Sequence, residues 1–276
     1  MMLLQCRDKK LDLSQPRIMG IVNVTPDSFS DGGHWTDPRR AIDHALALVA
    51  DGATLIDIGG ESTRPGARPV SPAEEIDRVV PVVESLRGCD AILSVDTRHP
   101  AVMEAALAAG ADMINDIQAL AAPGAAELVA RYQAGACLMH MQGAPETMQS
   151  APRYQNVLSE VVAFLTERVA EVGTAGVRQA GLLIDPGFGF GKTVEQNLVL
   201  LRHLSVLVDT GVPVLVGMSR KSMLGRLTGR EVGEREFAGI AAHLHALSSG
   251  ARVFRVHHVA AMRDAICVWQ AIEEQA

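Results

Sequence analysis

The chain has 276 residues and a formal net charge of −7, with 48% hydrophobic and 21% charged residues. This composition is typical of a globular protein in water, and the negative charge argues against a basic nucleic-acid-binding surface. The apolar runs are shorter than the roughly 18 residues that a membrane span needs. We therefore expect neither a nucleic acid nor a membrane as a partner.

The cysteines and the first residues indicate a cytoplasmic protein. Cys6, Cys89, Cys137 and Cys267 are widely spaced and form no Cys-x-x-Cys pair. That spacing argues against a zinc site or a disulfide framework. The N-terminal sequence MMLLQCRDKK becomes charged too early for the apolar part of a signal peptide.

The first predicted element is a small hairpin. Residues 3–13, LLQCRDKKLDL, contain two short strand-like segments around a charged turn. We expect this hairpin to cover the bottom of the fold that follows.

Eight short and nearly all-apolar runs follow the hairpin, and each leads into polar residues. Strands of a parallel sheet that is buried on both faces have this character. The runs are residues 18–22, 54–58, 91–95, 113–114, 136–139, 182–184, 213–216 and 252–256.

The stretches between these runs carry helix start and stop signals. Capping boxes are predicted for Ser71 with Glu74 and for Thr193 with Gln196. Proline favours the first helical position, and glycine favours the left-handed turn after a helix. The remaining predicted signals are starts at Asp37-Pro38 and Pro100, and ends at Gly52 and Gly110.

Eight strands that alternate with helices predict a (β/α)₈ barrel, with residues 1–276 as a single α/β domain. A doubly wound dinucleotide-binding sheet is the alternative. That fold usually has about six strands and a glycine fingerprint, which this chain lacks.

Charged and amide side chains stand at several predicted strand ends, where barrel enzymes place their active sites. Each of them alone is explained equally well as a strand terminator or a helix cap. Together they predict a pocket, and Arg255 is the clearest case because an arginine within an apolar strand needs a partner or a ligand. The residues are Asp96, Asn115, Asp185, Lys221 and Arg255.

Two long loops follow the first two predicted barrel strands. Residues 23–35 and 59–71 exceed the two to six residues that are usual for such connections. They are rich in Gly, Ser, Thr, Pro and Asp, and we expect them to lie over the mouth of the pocket. Surface decoration is the alternative reading.

The glycine-rich segment IDPGFGFGKT, residues 184–193, looks like a phosphate-binding loop but fits neither common pattern. The P-loop needs a glycine where Pro186 stands, and the dinucleotide fingerprint needs one where Lys192 stands. We therefore expect Asp185 to be its functional residue, and Lys192-Thr193 to begin the next helix.

Eight segments of the chain resemble, in the same order, those of bacterial dihydropteroate synthases. Together they span about residues 17 to 258 and are specific, although each alone is modest evidence. The segments are IMGIVNVTPDSFSDGG, LIDIGGESTRPGA, SVDTRHPAVMEAAL, INDI, CLMHMQGAP, LIDPGFGFGKTVEQN, LVGMSRKSMLG and FRVHHV.

The resemblance implies a fold and a reaction. The family has a (β/α)₈ barrel and is usually dimeric. It joins 6-hydroxymethyl-7,8-dihydropterin pyrophosphate to p-aminobenzoate, giving 7,8-dihydropteroate and pyrophosphate in folate biosynthesis, and it is the sulfonamide target. A homodimer is therefore expected, with these two small molecules as substrates.

The resemblance also implies roles for residues. Carboxylate and amide oxygens suit the N–H donors of a pterin, and a guanidinium can stack on its ring. The implied pterin-binding residues are Asp96, Asn115, Asp185, Lys221, Arg255, Met139, Ile117 and Phe188, although a methionine in a barrel strand is more often simply core. The implied pyrophosphate-binding residues are Asn23, Thr63, Arg64, Arg255 and His257. The implied p-aminobenzoate-binding residues are Thr63, Pro65, Phe29, Phe190, Lys221 and Ser222.

Mg²⁺ is the implied cofactor, bound to the diphosphate with Asn23 as its protein ligand. The sequence offers no nucleophile–base pair, and a dissociative reaction needs none. The electron-rich dihydropterin supports positive charge on its methylene group, so pyrophosphate is expected to leave before the aniline nitrogen attacks.

One position departs from the family pattern, because His258 stands where the family commonly has aspartate. We expect activity to survive this change, with some alteration of the support for His257. Three other functions remain open. They are a barrel methyltransferase that transfers a methyl group from methyltetrahydrofolate to a corrinoid protein, a pterin-binding protein without synthase activity, and a barrel of unrelated function.

Overall fold

A computed structural model describes residues 2–25, 38–62, 68–145 and 147–274. Four predicted site residues, Phe29, Thr63, Arg64 and Pro65, lie outside these ranges. The helix cap predicted at Asp37 lies outside them as well.

The predicted N-terminal hairpin is confirmed. Strands β1 (Leu3–Cys6) and β2 (Lys9–Asp12) pair antiparallel, with Leu4 opposite Leu11 and Cys6 opposite Lys9. Arg7 takes a left-handed conformation in the turn, with φ of 53°.

The predicted barrel is also confirmed. Eight parallel strands pair in the spatial order β8-β7-β6-β5-β4-β3-β10-β9. A bridge between Ile184 and Val214 joins the two ends of this sheet, and Ile184 N donates to Pro213 O at 3.0 Å. The strands are β3 (Arg17–Asn23), β4 (Leu55–Gly59), β5 (Ile92–Asp96), β6 (Met113–Asp116), β7 (Gly135–Met139), β8 (Leu182–Asp185), β9 (Leu215–Val216) and β10 (Val253–Val256).

Helices follow the strands and surround the barrel. Short 3₁₀ turns occur at Gln179–Gly181 and Val232–Glu234. The helices are α1 (Pro38–Ala50), α2 (Pro72–Leu86), α3 (Pro100–Ala109), α4 (Ala125–Arg131), α5 (Val157–Thr174), α6 (Val194–Arg202), α7 (Ser205–Val208), α8 (Ser222–Thr228), α9 (Glu236–Ser248) and α10 (Val259–Glu273).

The predicted helix signals differ in outcome. Thr193 and Gln196 form both hydrogen bonds of a capping box before α6, and Gly110 ends α3 with φ of 118°. At α2, Ser71 Oγ accepts a hydrogen bond from Glu74 N at 3.2 Å, which is half of the predicted box. The Glu74 carboxylate instead pairs with Arg78 at 2.5 Å, because an arginine one helical turn away competes for it.

The buried side chains form two hydrophobic clusters. The larger one fills the space between strands and helices. The smaller one lies inside the amino end of the barrel, where Leu4, Cys6 and Leu13 from the hairpin segment pack on inward-facing strand residues such as Met19 and Leu55. The hairpin therefore closes the bottom of the barrel and leaves the opposite end for the site. Among the described residues, no helix is both long enough and apolar enough to span a membrane.

Candidate active site

The carboxyl ends of the strands surround an ion-pair network centred on Arg255. Arg255 lies within β10, and its Nε donates to Asp57 Oδ2 at 2.6 Å. Its Nη2 donates to Asp96 Oδ2 at 2.8 Å, at the end of β5. One guanidinium group thus joins carboxylates from two other strands, and these bonds fix the orientation of its plane.

Asp57 is a central residue of this network that the sequence reasoning missed. It is fully buried in β4. Its carboxylate accepts hydrogen bonds from Ser94 Oγ at 2.6 Å and from Asn115 Nδ2 at 3.0 Å. The signal was present, because an aspartate within the apolar run at 54–58 needs a partner just as Arg255 does.

Burial and neighbouring charges shift the pKa values of Asp96, Asp185 and Arg255. Burial raises the pKa of Asp96 above its usual range, although Arg255 opposes this shift. Burial also raises the pKa of Asp185. Burial acts to lower the pKa of Arg255, but Asp57 and Asp96 raise it overall, so the guanidinium stays charged. Desolvated carboxyl groups of this kind are stabilised by N–H donors from a ligand.

Asp185 ends β8 and begins the glycine-rich loop of residues 186–191. Its Oδ1 accepts a hydrogen bond from Gly187 N at 2.7 Å. Gly187, Gly189 and Gly191 have φ values of 70°, 79° and 58°, which glycine adopts without strain. A Cβ at Gly187 would collide with His140 O, and one at Gly191 would collide with Gln142 O. The glycines therefore let this loop pack against the chain after β7.

The side chain of Lys192 also contacts this glycine-rich loop. Its side chain is 3% exposed, and Nζ lies 3.0 Å from Gly187 O, 2.9 Å from Phe190 O and 3.2 Å from His140 O. Burial lowers the pKa of Lys192 to about 7, while the nearby Asp185 opposes that shift. Thr193, the next residue, is the N-cap of α6, so the helix start predicted at Lys192-Thr193 is confirmed.

The loop after β8 meets the segment after β9 at the mouth of the barrel. Lys221 Nζ lies 4.1 Å from the centroid of the Phe190 ring, a cation–π distance. Ser222, which follows Lys221 and is the first residue of α8, is exposed. Phe190 and Lys221, both predicted for the p-aminobenzoate site, are therefore in contact, and Ser222 adjoins Lys221 in the chain.

The three apolar residues predicted around the pterin are all buried, but not equivalently. Phe188 is 1% exposed and belongs to the larger hydrophobic cluster, and its contact with the pterin stays a prediction. Ile117 and Met139 are 5% and 4% exposed and belong to neither cluster. They follow or end β6 and β7, beside Asn115 and Asp185, where they can line a pocket.

Asn23 and His257 lie at the ends of β3 and β10, which are neighbours in the sheet. His257 Nδ1 is 2.8 Å from Ser219 Oγ, and its backbone nitrogen donates to the same oxygen at 3.4 Å. Ser219 was not among the predicted site residues. Its hydroxyl contacts the imidazole and so helps to position it.

The side chain of His258 contacts Arg220 and Glu236. Its Nε2 lies 3.0 Å from Arg220 Nη2, and its Nδ1 lies 3.4 Å from Glu236 Oε2. Since Ser219 contacts His257 directly, the departure at His258 leaves that contact intact.

The site therefore contains carboxylate and amide oxygens that can accept hydrogen bonds from a planar ring rich in N–H groups. The planar guanidinium group of Arg255 lies beside them, and Lys221 and His257 lie near the mouth of the barrel. Asp96, Asn115 and Asp185, predicted from separate strand ends, lie at the same end of the barrel as Arg255. The shared partner Asp57 explains how Asn115 and Arg255 are held.

Comparisons with known proteins agree with this geometry. A family model described as "Pterin binding enzyme" matches residues 19–257. The chain is 49% identical to the dihydropteroate synthase of Neisseria meningitidis serogroup C over 268 residues, 95% of each chain. It resembles the dihydropteroate synthase of Xanthomonas albilineans with 4-aminobenzoic acid, at 52% identity and a TM-score of 0.93 over 99% of this chain and 98% of that one. It also resembles the Yersinia pestis dihydropteroate synthase in complex with a sulfonamide drug, at 48% identity and a TM-score of 0.93 over 99% and 100% of the two chains. The chain therefore belongs to the dihydropteroate synthase family of pterin-binding enzymes.

Proposed function

We propose that the protein condenses 6-hydroxymethyl-7,8-dihydropterin pyrophosphate with p-aminobenzoate, releasing 7,8-dihydropteroate and pyrophosphate. The observation that carries this proposal is the network of Asp57, Asp96, Asn115 and Arg255, with Asp185 at the same end of the barrel. The relatives named dihydropteroate synthase support it.

The pterin is assigned to the network itself. Asp96, the Asn115 carbonyl oxygen and Asp185 accept hydrogen bonds from the aminopyrimidine edge, because the Asn115 amide nitrogen already donates to Asp57. Arg255 stacks its plane on the ring. Lys221 faces the acceptor side of the pterin, with Ile117 and Met139 as apolar walls.

The pyrophosphate and p-aminobenzoate are assigned to the mouth. Asn23, Arg255 and His257 bind the leaving group together with Thr63 and Arg64 of the second loop. Phe190, Lys221 and Ser222 bind p-aminobenzoate together with Phe29, Thr63 and Pro65. A sulfonamide binds at the same place in this proposal, as a mimic of p-aminobenzoate.

The reaction is dissociative in this proposal. The C–O bond at the pterin methylene breaks, and its electron pair leaves with pyrophosphate. The aniline nitrogen of p-aminobenzoate then forms the C–N bond and loses a proton. The carboxylates around the ring stabilise the cationic intermediate. Positional isotope exchange within the bound pyrophosphate, measured without p-aminobenzoate, tests the order. Strict dependence of C–O cleavage on p-aminobenzoate would contradict it.

Mg²⁺ fits the residues at the mouth. Asn23 is partly exposed at the end of β3, and its amide oxygen is a hard ligand of the kind that Mg²⁺ prefers. When bound, the ion neutralises charge on the diphosphate. Asn23 positions the ion from the protein side, and His257 contributes a further polar contact to the leaving group.

We further propose a cytoplasmic homodimer. An apolar groove between α9 and α10 is lined by Leu244, Val268, Trp269 and Ile272. Val268 and Ile272 are each 63% exposed, which is unusual for large apolar side chains. A second copy is the occupant to test, by comparing the light-scattering masses of the wild type and Val268→Glu. A monomeric wild type would contradict this assignment.

A reconstituted assay tests the proposed function. Purified protein with dihydropterin pyrophosphate, p-aminobenzoate and Mg²⁺ is expected to release pyrophosphate and form dihydropteroate. Absence of both products would contradict the proposal. A separate pterin titration then distinguishes a pterin-binding protein from an unrelated barrel, and methyl transfer from methyltetrahydrofolate tests the methyltransferase alternative.

Asp185→Asn gives a sharper test of the pterin site. An amide offers one acceptor oxygen and one unwanted donor, so pterin affinity is expected to fall about tenfold or more, the typical effect of losing a hydrogen bond to a charged group. Fluorescence titration measures this change, with far-ultraviolet circular dichroism to confirm folding. Unchanged affinity would remove Asp185 from the site.

A further inference from the structure

Lys192 is a buried charged residue, and none of the substrate contacts proposed above involves it. Besides the three carbonyl oxygens of Gly187, Phe190 and His140, its Nζ lies 3.0 Å from His140 Nδ1. Burial lowers the pKa of His140 to about 3, so its ring is neutral and Nδ1 can accept a hydrogen bond. All four acceptors belong to the loop after β8 or to the residue that follows β7.

These contacts add to other hydrogen bonds that support the loop. Asp185 Oδ1 accepts from Gly187 N at 2.7 Å, and Phe190 N donates to Gly187 O at 3.1 Å. From the surroundings, Asn197 Oδ1 accepts from Gly189 N at 2.8 Å, Gln149 Nε2 donates to Gly189 O at 2.6 Å, and Tyr154 OH donates to Gly191 O at 2.8 Å. Lys192 contributes the largest set, since one ammonium group connects both ends of the turn to β7.

The position of this loop sets the position of two groups at the mouth. Phe190 lies under Lys221 at 4.1 Å, and a Cβ at Gly189 would lie 3.1 Å from Lys221 Cδ. A shift of the loop would therefore move the Phe190 ring and change the space available to Lys221.

We propose that Lys192 is a positioning residue for the condensation, because its ammonium group fixes the 187–190 main chain and so places the Phe190 ring against Lys221 for p-aminobenzoate binding. This inference rests on the proposed function. The lysine resembles that of a P-loop in sequence, but it binds main-chain carbonyls in place of phosphate oxygens.

Lys9 offers a matched control at the opposite end of the barrel. It also donates to two carbonyl oxygens, those of Cys89 at 3.0 Å and Ala91 at 2.6 Å, and it pairs with Asp112 at 2.9 Å. Lys9→Met removes a comparable set of contacts far from the substrates. Both Lys9→Met and Lys192→Met are therefore expected to lose stability, whereas only Lys192→Met is expected to change substrate binding.

The test compares steady-state kinetics of the wild type, Lys192→Met and Lys9→Met. Lys192→Met is expected to raise KM for p-aminobenzoate about tenfold, equivalent to ~1.4 kcal/mol, with a smaller effect on kcat. Lys9→Met is expected to keep the wild-type KM values while its melting temperature falls. Wild-type KM in Lys192→Met, or an equal rise in Lys9→Met, overturns the proposal.

Two further measurements keep the proposal testable if Lys192→Met does not fold or the wild type lacks synthase activity. Lys192→Gln keeps an N–H donor at the buried position but restores only part of the carbonyl contacts, and it is expected to raise KM, or the dissociation constant of p-aminobenzoate, about threefold. Hydrogen–deuterium exchange at residues 187–191 is expected to be faster in Lys192→Gln than in the wild type or Lys9→Met. Unchanged binding together with unchanged exchange in Lys192→Gln overturns the proposal, whereas absence of turnover with intact binding contradicts the proposed function alone.

Discussion

The charged residues Lys9 and Arg255, at the two ends of the barrel, differ in their partners and in their exposure. At the amino end, the hairpin segment buries Leu4 and Leu13 completely, and Lys9 donates to two main-chain carbonyls and Asp112. At the carboxyl end, Arg255 is shared between Asp57 and Asp96, and the side chains of Arg255 and Asp96 remain 21% and 20% exposed.

The amino end of the barrel therefore stabilises the fold, whereas the carboxyl end holds the proposed substrate-binding residues. At the amino end, Lys9 is matched by two main-chain carbonyls and Asp112, and it lies on a hairpin that packs apolar side chains into the barrel and so stabilises the fold. At the carboxyl end, Arg255 is matched by two carboxylates from other strands, which keeps these groups in place while some of their atoms stay accessible. Substitutions at the two ends should therefore separate stability from activity.

The largest effect is expected from Arg255→Met. Removing the guanidinium leaves the buried Asp57 and the partly exposed Asp96 without their cation, and breaking a buried ion pair in this way costs up to about 3–5 kcal/mol. We expect synthase activity to fall at least about 100-fold and pterin binding to be lost. Kinetics and pterin titration measure the effect. Near-normal activity would show that the network is structural, as the contacts at the amino end are.

Leu13→Ala is the converse change at the amino end. Truncation of a fully buried leucine is expected to lower the free energy of unfolding by about 2–5 kcal/mol. Because the site lies at the other end, kcat/KM at 25 °C should stay within about twofold for the folded protein. Denaturation with urea and steady-state kinetics test the two expectations, and a large loss of activity in folded protein would contradict the separation.

Glu75→Gln tests a pH-dependent feature beside the site. Glu75 is fully buried in α2, and its carboxylate lies near the Thr97 hydroxyl and Glu61. Burial raises its pKa to about 7, the Thr97 hydroxyl partly opposes this shift, and Glu61 adds to it. The folded state therefore binds the Glu75 proton more tightly than the unfolded state, whose pKa is near 4.5.

Wild-type stability should consequently fall as the pH rises from about 4.5 to about 7. Gln mimics the protonated form, so Glu75→Gln should gain stability relative to the wild type over that range, by up to about 3 kcal/mol. Urea denaturation at pH 5 and pH 8 measures the difference. Glu84→Gln, on an exposed position of the same helix, is the control. Parallel behaviour of Glu75→Gln and the wild type would contradict the assignment.

The smallest effect is expected from His258→Asp, which restores the residue common in the family. Ser219 positions His257 at 2.8 Å, and His258 instead contacts Arg220 and Glu236. We expect kcat/KM to change by less than about twofold, because exposed contacts of this kind often contribute only a few tenths of a kcal/mol (about 0.2–0.4) and the Ser219–His257 contact is left intact. A several-fold change would show that position 258 does act on the site.

Much of the fold was predictable because its signals are local. The eight apolar runs, the glycine at 110 and the Thr193–Gln196 box each depend on neighbouring residues. The strand predicted at 213–216 is shorter in the structure, at Leu215–Val216, because Val214 makes the closing bridge and Pro213 supplies only its carbonyl. The box at Ser71 is half-formed because Arg78 competes for Glu74.

The site was predictable in part for a different reason. Arg255 was identified because a charge in an apolar strand is conspicuous, whereas Asp57 was overlooked although the same argument applies to it. Ser94, Ser219 and Lys192 gave no comparable signal. Serine is common at any position, and Lys192 stands among glycines in a segment that resembles a phosphate loop.

The sequence by itself determined the alternation of strands and helices, the hairpin, and the residues that stand at strand ends, because periodicity and capping act over a few positions. The tertiary structure decided which of those residues share a partner. Asp57 and Arg255 are 198 positions apart, and their 2.6 Å contact exists because the sheet curves until β10 lies beside β3. The partners of Lys192 were decided in the same way, since the glycine loop approaches His140 only when β7 and β8 are paired.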